Sequence, residues 1–423
     1  MKRALMLLLV GSVVAPLVAQ QTWLVRCGVG GPPVHFHDLP QAVAAAAPGD
    51  TIRFFIDDQA IAPCGPVFRF SPVVIDKPLT VVGARRGSPT VWLDSFFVRG
   101  VIKVKDIPAG ERVVLRGMFL RGDDSATPGD RGLEITNCAG QVVLDRIDVH
   151  GEGFGDSLVR FTDCDDVVVH DCSFSMGRRP VEVVRSSVRF SNCIVYHEAG
   201  PPWPFPQAFF NSSPGIEIDH GRVSLDITTV RGASWVQSLG LIRTPAVYLN
   251  AGVLEVGPDA RLYAGQPWPA DSYDTEAMGL SEVYVDPRGY IQNLPQNPHP
   301  HPIPRDLHTT MYPAASPGET FDYGITGPPN GFGLMVLGAY ELAPHPTPLG
   351  DVWLHPQALS VVACEPLDAE GWHIGALSVP AGVDSSFVYG LQSLLVGPSG
   401  ALEVSRPTPL VLGWERTRSP YLP

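Results

Sequence analysis

The stretch VVVHDCSFSMGRRPVEVVRSSVRFSNCIVYH, residues 167–197, says one phrase twice, with Cys172 and Cys193 at matching points of the two halves. The phrase recurs on either side. VVLRGMFL (113–120), VVLDRIDV (142–149), VVVHDCSF (167–174), VRFSNCIV (188–195) and VSLDITTV (223–230) share one pattern. It runs apolar, free, apolar, a two-residue break of mostly polar or small residues, apolar, free, apolar. Alternation of period two makes a half-buried strand. The break shifts that period, so the chain must turn a corner there. A further short strand precedes each unit: IKV (102–104), LEI (133–135), VRF (159–161), VEV (181–183), IEI (216–218) and VYL (247–249).

Three short strands per turn, bends between them and one variable loop predict a right-handed parallel β-helix. The units start at 113, 142, 167, 188 and 223, at intervals of 29, 25, 21 and 35 residues. A kept phase with drifting length confines insertions to one loop per turn, as in a solenoid. Stacking then builds three inward columns: Leu115, Leu144, Val169, Phe190, Leu225; Met118, Ile147, Cys172, Cys193, Thr228; and Leu120, Val149, Phe174, Val195, Val230. Each average core side chain contributes about 1.5–3 kcal/mol on burial, ample for a stable cylinder.

The ends of such a coil need covering, because open sheet edges invite pairing with other chains. Before the repeats, FHDLPQAVAAAAPGDTIRFF predicts a capping helix with Asp38 as N-cap, Pro40 in its first turn and a stop at Pro48-Gly49. Residues 20–75 are then cap and first strands, and 76–265 the β-helix. After Gly265, QPWPADSYD and NLPQNPHPHPIPRD are too Pro-rich for sheet interior and predict an extended connector, 266–315. Residues 316–415 carry short alternating stretches separated by turns, the pattern of a small antiparallel β-sandwich.

Composition narrows the partners. Lys2-Arg3, an apolar run from Ala4 to Leu17 and Ala19 predict a secretory signal peptide, 1–19. No later stretch approaches the roughly 20 apolar residues needed to span a bilayer. The expected location is secreted, extracellular or periplasmic, or the cell surface. A net charge of −13 argues against nucleic acid and anionic membrane surfaces. The seven cysteines are odd in number, so at least one thiol is free or pairs with another chain.

The block FHDLPQAVAAAAPGDTI…IDKPLTVVGA is similar to the opening of secreted bacterial proteins of the pectin-lyase-like superfamily. The tail LSVVACEPLDAEGWHIGALSVP…FVYGLQSLLVGPSGALEVSRP resembles the C-terminal β-domain often appended to them. The resemblance implies the β-helix fold and leaves function open, since that superfamily holds lyases, hydrolases, esterases and adhesins. Polygalacturonase motifs are incomplete. Asp165-Asp166 is present, but IDHG (218–221) has Asp where the first Gly belongs, and no Arg-Ile-Lys occurs. Asp163, Asp165 and Asp166 are the residue type that shapes corners.

The outward residue of each first strand gives a candidate site: Lys103, Glu134, Arg160, Glu182, Glu217 and Tyr248. In lyases that the chain resembles, this face holds the sugar chain, with Arg or Lys as base or enolate partner and sometimes Ca²⁺. The five charged residues are the catalytic candidates if the protein is an enzyme. Otherwise they are a solvated ladder worth about 0.2–1 kcal/mol per pair. Trp203, Phe205 and Trp235, with Tyr248, are candidates to stack on sugar rings, or else to cover the outer valines Val114, Val143 and Val168. His299, His301 and His308 match no standard metal-ligand spacing, and no cofactor is expected beyond that Ca²⁺. Two functions remain: a non-catalytic binder of polysaccharide or a surface partner, and a polysaccharide lyase or glycoside hydrolase acting on an acidic polysaccharide.

Cys172 and Cys193 read as small core fillers, with a strained disulfide as the alternative. Cys138 and Cys164 sit at a bend with more room to bridge. Cys27 and Cys64 bracket the helix and could staple it, and Cys364 is the odd one.

Overall fold

The computed structural model describes residues 21–26, 36, 38–56, 67–69, 72–85, 97–99, 102–121, 132–150, 157–175, 179–196, 214–232, 234–237, 240–243, 245–257, 260–263, 275–278, 281–285, 290–291, 301–302, 309–311, 318, 320–355, 359–369, 371–378, 388–405 and 408–411. The expected leader, Cys27, Cys64, Trp203, Phe205, His299 and His308 lie outside these. Two compact units emerge, one spanning Gln20–Ile303 and the other containing Pro304–Pro423.

The first unit is built on a sheet of 24 described strands that pair parallel. Each strand pairs with its counterpart one repeat later. Ile102–Lys105 pairs with the start of Leu133–His150, which pairs with the start of Ser157–His170, then Arg179–Val184, Ile216–Asp219 and Val247–Asn250. A second ladder runs through residues 113–116, 142–145, 167–170, Ser187–Ser191, Arg222–Asp226 and Val253–Val256. The third joins 118–121, 147–150, Ser173–Ser175, Ile194–Tyr196, Thr229–Arg231 and Arg261–Tyr263. Three strands per turn, recurring in register, make a solenoid-like coil consistent with a parallel β-helix. All fifteen inward positions of the three columns are buried.

The corners have a defined conformation. Asp106, Asn137, Asp163, Arg185, His220 and Ala251 follow the first strands, and Gly117, Arg146, Asp171, Asn192 and Ile227 follow the second. Every one has a positive φ, between 45° and 63°. This left-handed region is where Gly, Asn and Asp are least penalised, a preference that Gly117, Asp171 and Asn192 follow and Arg146 and Ile227 do not. Side chains also stack between turns there: Asn137 Nδ2 donates to Asp106 Oδ1 at 2.6 Å, and Asn192 Nδ2 to Asp171 Oδ1 at 2.9 Å. Arg185 clamps Asp163 through Nε at 2.7 Å and Nη2 at 2.8 Å.

The residue after each left-handed position explains the cysteines. Cys138, Cys164 and Ser186 occupy it at one corner, and Cys172, Cys193 and Thr228 at the other. Each donates its thiol or hydroxyl to the carbonyl two residues back: Cys138 to Thr136 at 3.3 Å, Cys164 to Thr162 at 3.2 Å, and Ser186 to Val184 at 2.8 Å. Cys172 reaches His170 at 3.1 Å, Cys193 reaches Ser191 at 3.2 Å, and Thr228 reaches Asp226 at 2.8 Å. Ser186 Oγ and Thr228 Oγ1 also accept the backbone N–H of Cys164 and Cys193, one turn away, at 3.0 and 3.3 Å. The same position holds Ile107, Met118 and Ile147 on other turns, so it accepts an apolar filler or a small side chain that bonds back to the corner. Burial pushes the Cys172 thiol well up from its ordinary value.

The expected bridge between Cys138 and Cys164 is not made. They face each other in register, yet both are free thiols, as are Cys172 and Cys193. Parallel neighbours stand about 4.8 Å apart, beyond the ~3.5–4.5 Å Cβ separation of a relaxed disulfide.

The coil also continues past residue 265, where the composition placed a connector. Thr275–Met278, Glu282–Val285 and Tyr290–Ile291 each pair parallel with the preceding turn, and His301–Pro302 pairs with Tyr284 and Val285. At the other end, the helix spans seven residues, Leu39–Ala45, and stops before Pro48. Its Leu39, Ala42 and Val43 join the apolar core of the coil. Asp38 precedes it in extended conformation, but its side chain makes no capping bond. The buried Asp50 does comparable work after the helix, accepting Ala47 N and Gln21 N at 2.9 Å and Trp23 Nε1 at 2.8 Å. Among the described residues no helix is long and apolar enough to cross a membrane.

The second unit is antiparallel. Thr309–Met311, Thr320–Thr326 and Trp372–Ser378 form one sheet. Phe332–Thr347 and Val388–Val396 are central to another that includes Gly350–Leu354, Ser360–Pro366, Leu402–Val404 and Thr408–Val411. Its core is Tyr323, Ile325, Met335, Leu367, Leu391 and Leu395.

Candidate functional site

Every member of the expected outer ladder stands in one register column. Val74, Lys103, Glu134, Arg160, Glu182, Glu217, Tyr248 and Glu276 are successive partners along the first strands. Alternation makes this so, since from Val74 to Tyr248 the neighbours on both sides of each residue are buried. The charges pair along the column. Lys103 Nζ lies 3.3 Å from Glu134 Oε2, and Arg160 Nε lies 3.4 Å from Glu182 Oε2, which also accepts Ser157 Oγ at 3.2 Å. Their side chains keep 14–35% of their surface exposed. From Lys103 to Glu217 the column holds one more carboxylate than cation.

Of the two described aromatic candidates, Tyr248 belongs to this column. Trp235 lies on a two-stranded antiparallel hairpin, Ser234–Gln237 with Gly240–Arg243, opposite Ile242 and outside the parallel ladder. Asp163 sits at a corner, as its residue type suggested, and Asp166 accepts Gln141 Nε2 at 2.6 Å. His301 opens the short strand beside Tyr284.

A second column was not anticipated. The last outward residues of the second strands stack as Arg116, Asp145, His170, Ser191 and Asp226. Asp145 is fully buried. Its Oδ2 accepts Arg116 Nε at 2.8 Å and Arg146 Nε at 3.1 Å, while Oδ1 accepts His170 Nδ1 at 2.9 Å. Burial by itself would raise this carboxyl. The Arg146 guanidinium, the hydrogen bond from His170 and the Arg116 guanidinium outweigh it and hold Asp145 well below the usual carboxylate range. Val114, Val143 and Val168, one step earlier on the same outward side, are buried too, so this part of the outer face is covered. Exposure returns along the column, with Ser191 and Asp226 half-buried.

The signal for this column lay in the aligned repeats. Read downward, the residue after the second inward position spells R, D, H, S, D. One turn past Asp226, Glu255 is a smaller polar knot, accepting Arg222 Nη2 and Ser224 Oγ. Among the described residues no three His, Cys, Asp or Glu side chains gather as metal ligands. No protein-family model matches the chain, and no curated protein matches it either.

Proposed function

We propose that the protein is a secreted or cell-surface member of the pectin-lyase-like superfamily that binds polysaccharide, or a surface partner, along its first-strand ladder. The observation that carries this is the register column from Val74 to Glu276. Seven steps of about 4.8 Å give a linear, periodic track roughly 34 Å long. An extended and periodic ligand fits such a track better than a compact one. The polar, half-exposed side chains supply hydrogen bonds, and Tyr248 supplies a ring. The small surplus of carboxylates favours a neutral or cationic chain over a polyanion.

The reading is non-catalytic on this face. A lyase would need Lys103 or Arg160 available to a uronate, and a neighbouring glutamate already engages each. No cofactor is required. In this reading the coil is right-handed, the helix Leu39–Ala45 closes its start, the two antiparallel sheets form a β-sandwich, and residues 1–19 direct export. The test is to incubate the mature protein with neutral and uronate polysaccharides, following retention in affinity gels and ultraviolet absorbance of unsaturated products. Retention without product is expected. Product formation that disappears in Arg160→Ala would overturn the reading.

A further inference from the structure

We propose that Asp145, His170 and Ser191, stacked on three successive turns, form an acyl-transfer site that cleaves a carboxylic ester. The inference concerns a different strand from the binding ladder and stands independently of it. Nucleophile, base and orienting acid are recognised by geometry and role, since the same constellation arises in unrelated folds and chain orders. Here Asp145 Oδ1 takes the Nδ1–H of His170 at 2.9 Å, which fixes the tautomer and leaves Nε2 as the basic nitrogen. Asp145 and Ser191 are the register partners of His170 on the turns before and after it, so Nε2, the ring nitrogen that Asp145 does not hold, is the one left for Ser191. Register partners stand about 4.8 Å apart, and the contact between nucleophile and base is one that often closes only when substrate binds.

The environment matches these roles. Arg116 and Arg146 pin the orienting carboxylate, Asp145 and His170 are buried, and Ser191 is half-buried at the open end of the column. In the step, Ser191 Oγ bonds to the ester carbonyl carbon as its proton passes to His170 Nε2. The tetrahedral intermediate collapses, the bond to the alcohol oxygen breaks, and the proton on Nε2 goes to the departing alkoxide. Water, deprotonated by the same nitrogen, then attacks the acyl-Ser191 ester, releasing a carboxylic acid and restoring the serine.

The experiment treats the mature protein with a fluorophosphonate probe, maps the label by mass spectrometry, and follows hydrolysis of p-nitrophenyl acetate and an acetylated polysaccharide. Label on Ser191 is expected, with hydrolysis falling at least ~100-fold in Ser191→Ala and in His170→Ala. Asp145 is a positioning residue, so Asp145→Asn should lower kcat and leave KM in place. If the buried substitutions unfold the protein, Ser191→Ala, at a half-buried position, still decides. No label on Ser191, or hydrolysis unchanged in Ser191→Ala, would overturn the proposal.

Discussion

The outward residues of the first strands and those at the ends of the second strands obey the same stacking rule and finish in opposite environments. Along the first, Lys103–Glu134 and Arg160–Glu182 pair in partial contact with solvent. Along the second, Arg116, Asp145 and His170 pair beneath a cover that leaves Asp145 no exposed surface. Exposed ion pairs are screened and contribute about 0–1 kcal/mol. A buried charge stripped of one partner loses several times more, because the remaining groups are left desolvated. Identical spacing thus yields a tolerant, sampling surface on one side and a rigid polar cluster on the other.

The sharpest way to break this contrast is Asp145→Ala, which strands two guanidiniums and an imidazole. Urea denaturation should show a loss of about 3–5 kcal/mol. A loss under 1 kcal/mol would put the two columns on the same footing. The stability from Asp145 has a defined pH dependence. Its carboxyl is depressed in the folded state, so the contribution is present above the usual carboxylate range and disappears as pH falls toward its lower folded value.

Asp148, two residues past the corner from Asp145, reverses that sign. Burial, and then the Asp171 carboxylate, push it up to about 6. Between its ordinary value of 3.8 and about 6 the unfolded chain releases a proton that the folded chain keeps, so stability falls as pH rises through that window. Asp148→Asn should therefore stabilise by about 1–3 kcal/mol at pH near 7 and by nothing at pH near 4. Thermal melts at the two pH values check it, and an equal effect at both would refute the sign.

Next in size is the corner. Ser186→Ala removes the oxygen that accepts Cys164 N and donates to Val184 O, at a cost of about 1–3 kcal/mol. Chemical denaturation, together with faster hydrogen exchange of the Cys164 amide, would register it. The smallest effect belongs to the open ladder: Lys103→Ala should change stability by less than about 1 kcal/mol, and less still in high salt.

Much of this was legible in the sequence, and the gaps have physical causes. Period-two alternation placed all fifteen inward residues and the outer ladder from Lys103 to Tyr248, because strand geometry leaves a side chain only two faces to choose between. The two-residue breaks located the corners, because a left-handed residue needs Asn, Asp or Gly more than other types. Alternation reports the side of a strand and not what covers it. Hence Asp145 and His170 read only as polar residues of the break, although their stacked letters held the cluster. Cys172 and Cys193 read as fillers and Cys138 and Cys164 as a candidate bridge, and the hydrogen bonds of all four follow from corner geometry that no periodicity encodes. The turn after residue 265 was missed because its strands are two to four residues long, set in Pro-rich chain, and Pro302 ends the last of them.

The most direct test of the account is affinity electrophoresis of the wild-type protein against a polysaccharide panel, beside a Glu134→Ala/Glu182→Ala/Glu217→Ala variant. The account predicts retention by at least one neutral polysaccharide, weakened about tenfold or more in the variant while the melting temperature stays within a few degrees. Undiminished retention by the folded variant, or no retention of the wild type by any member of the panel, would contradict it.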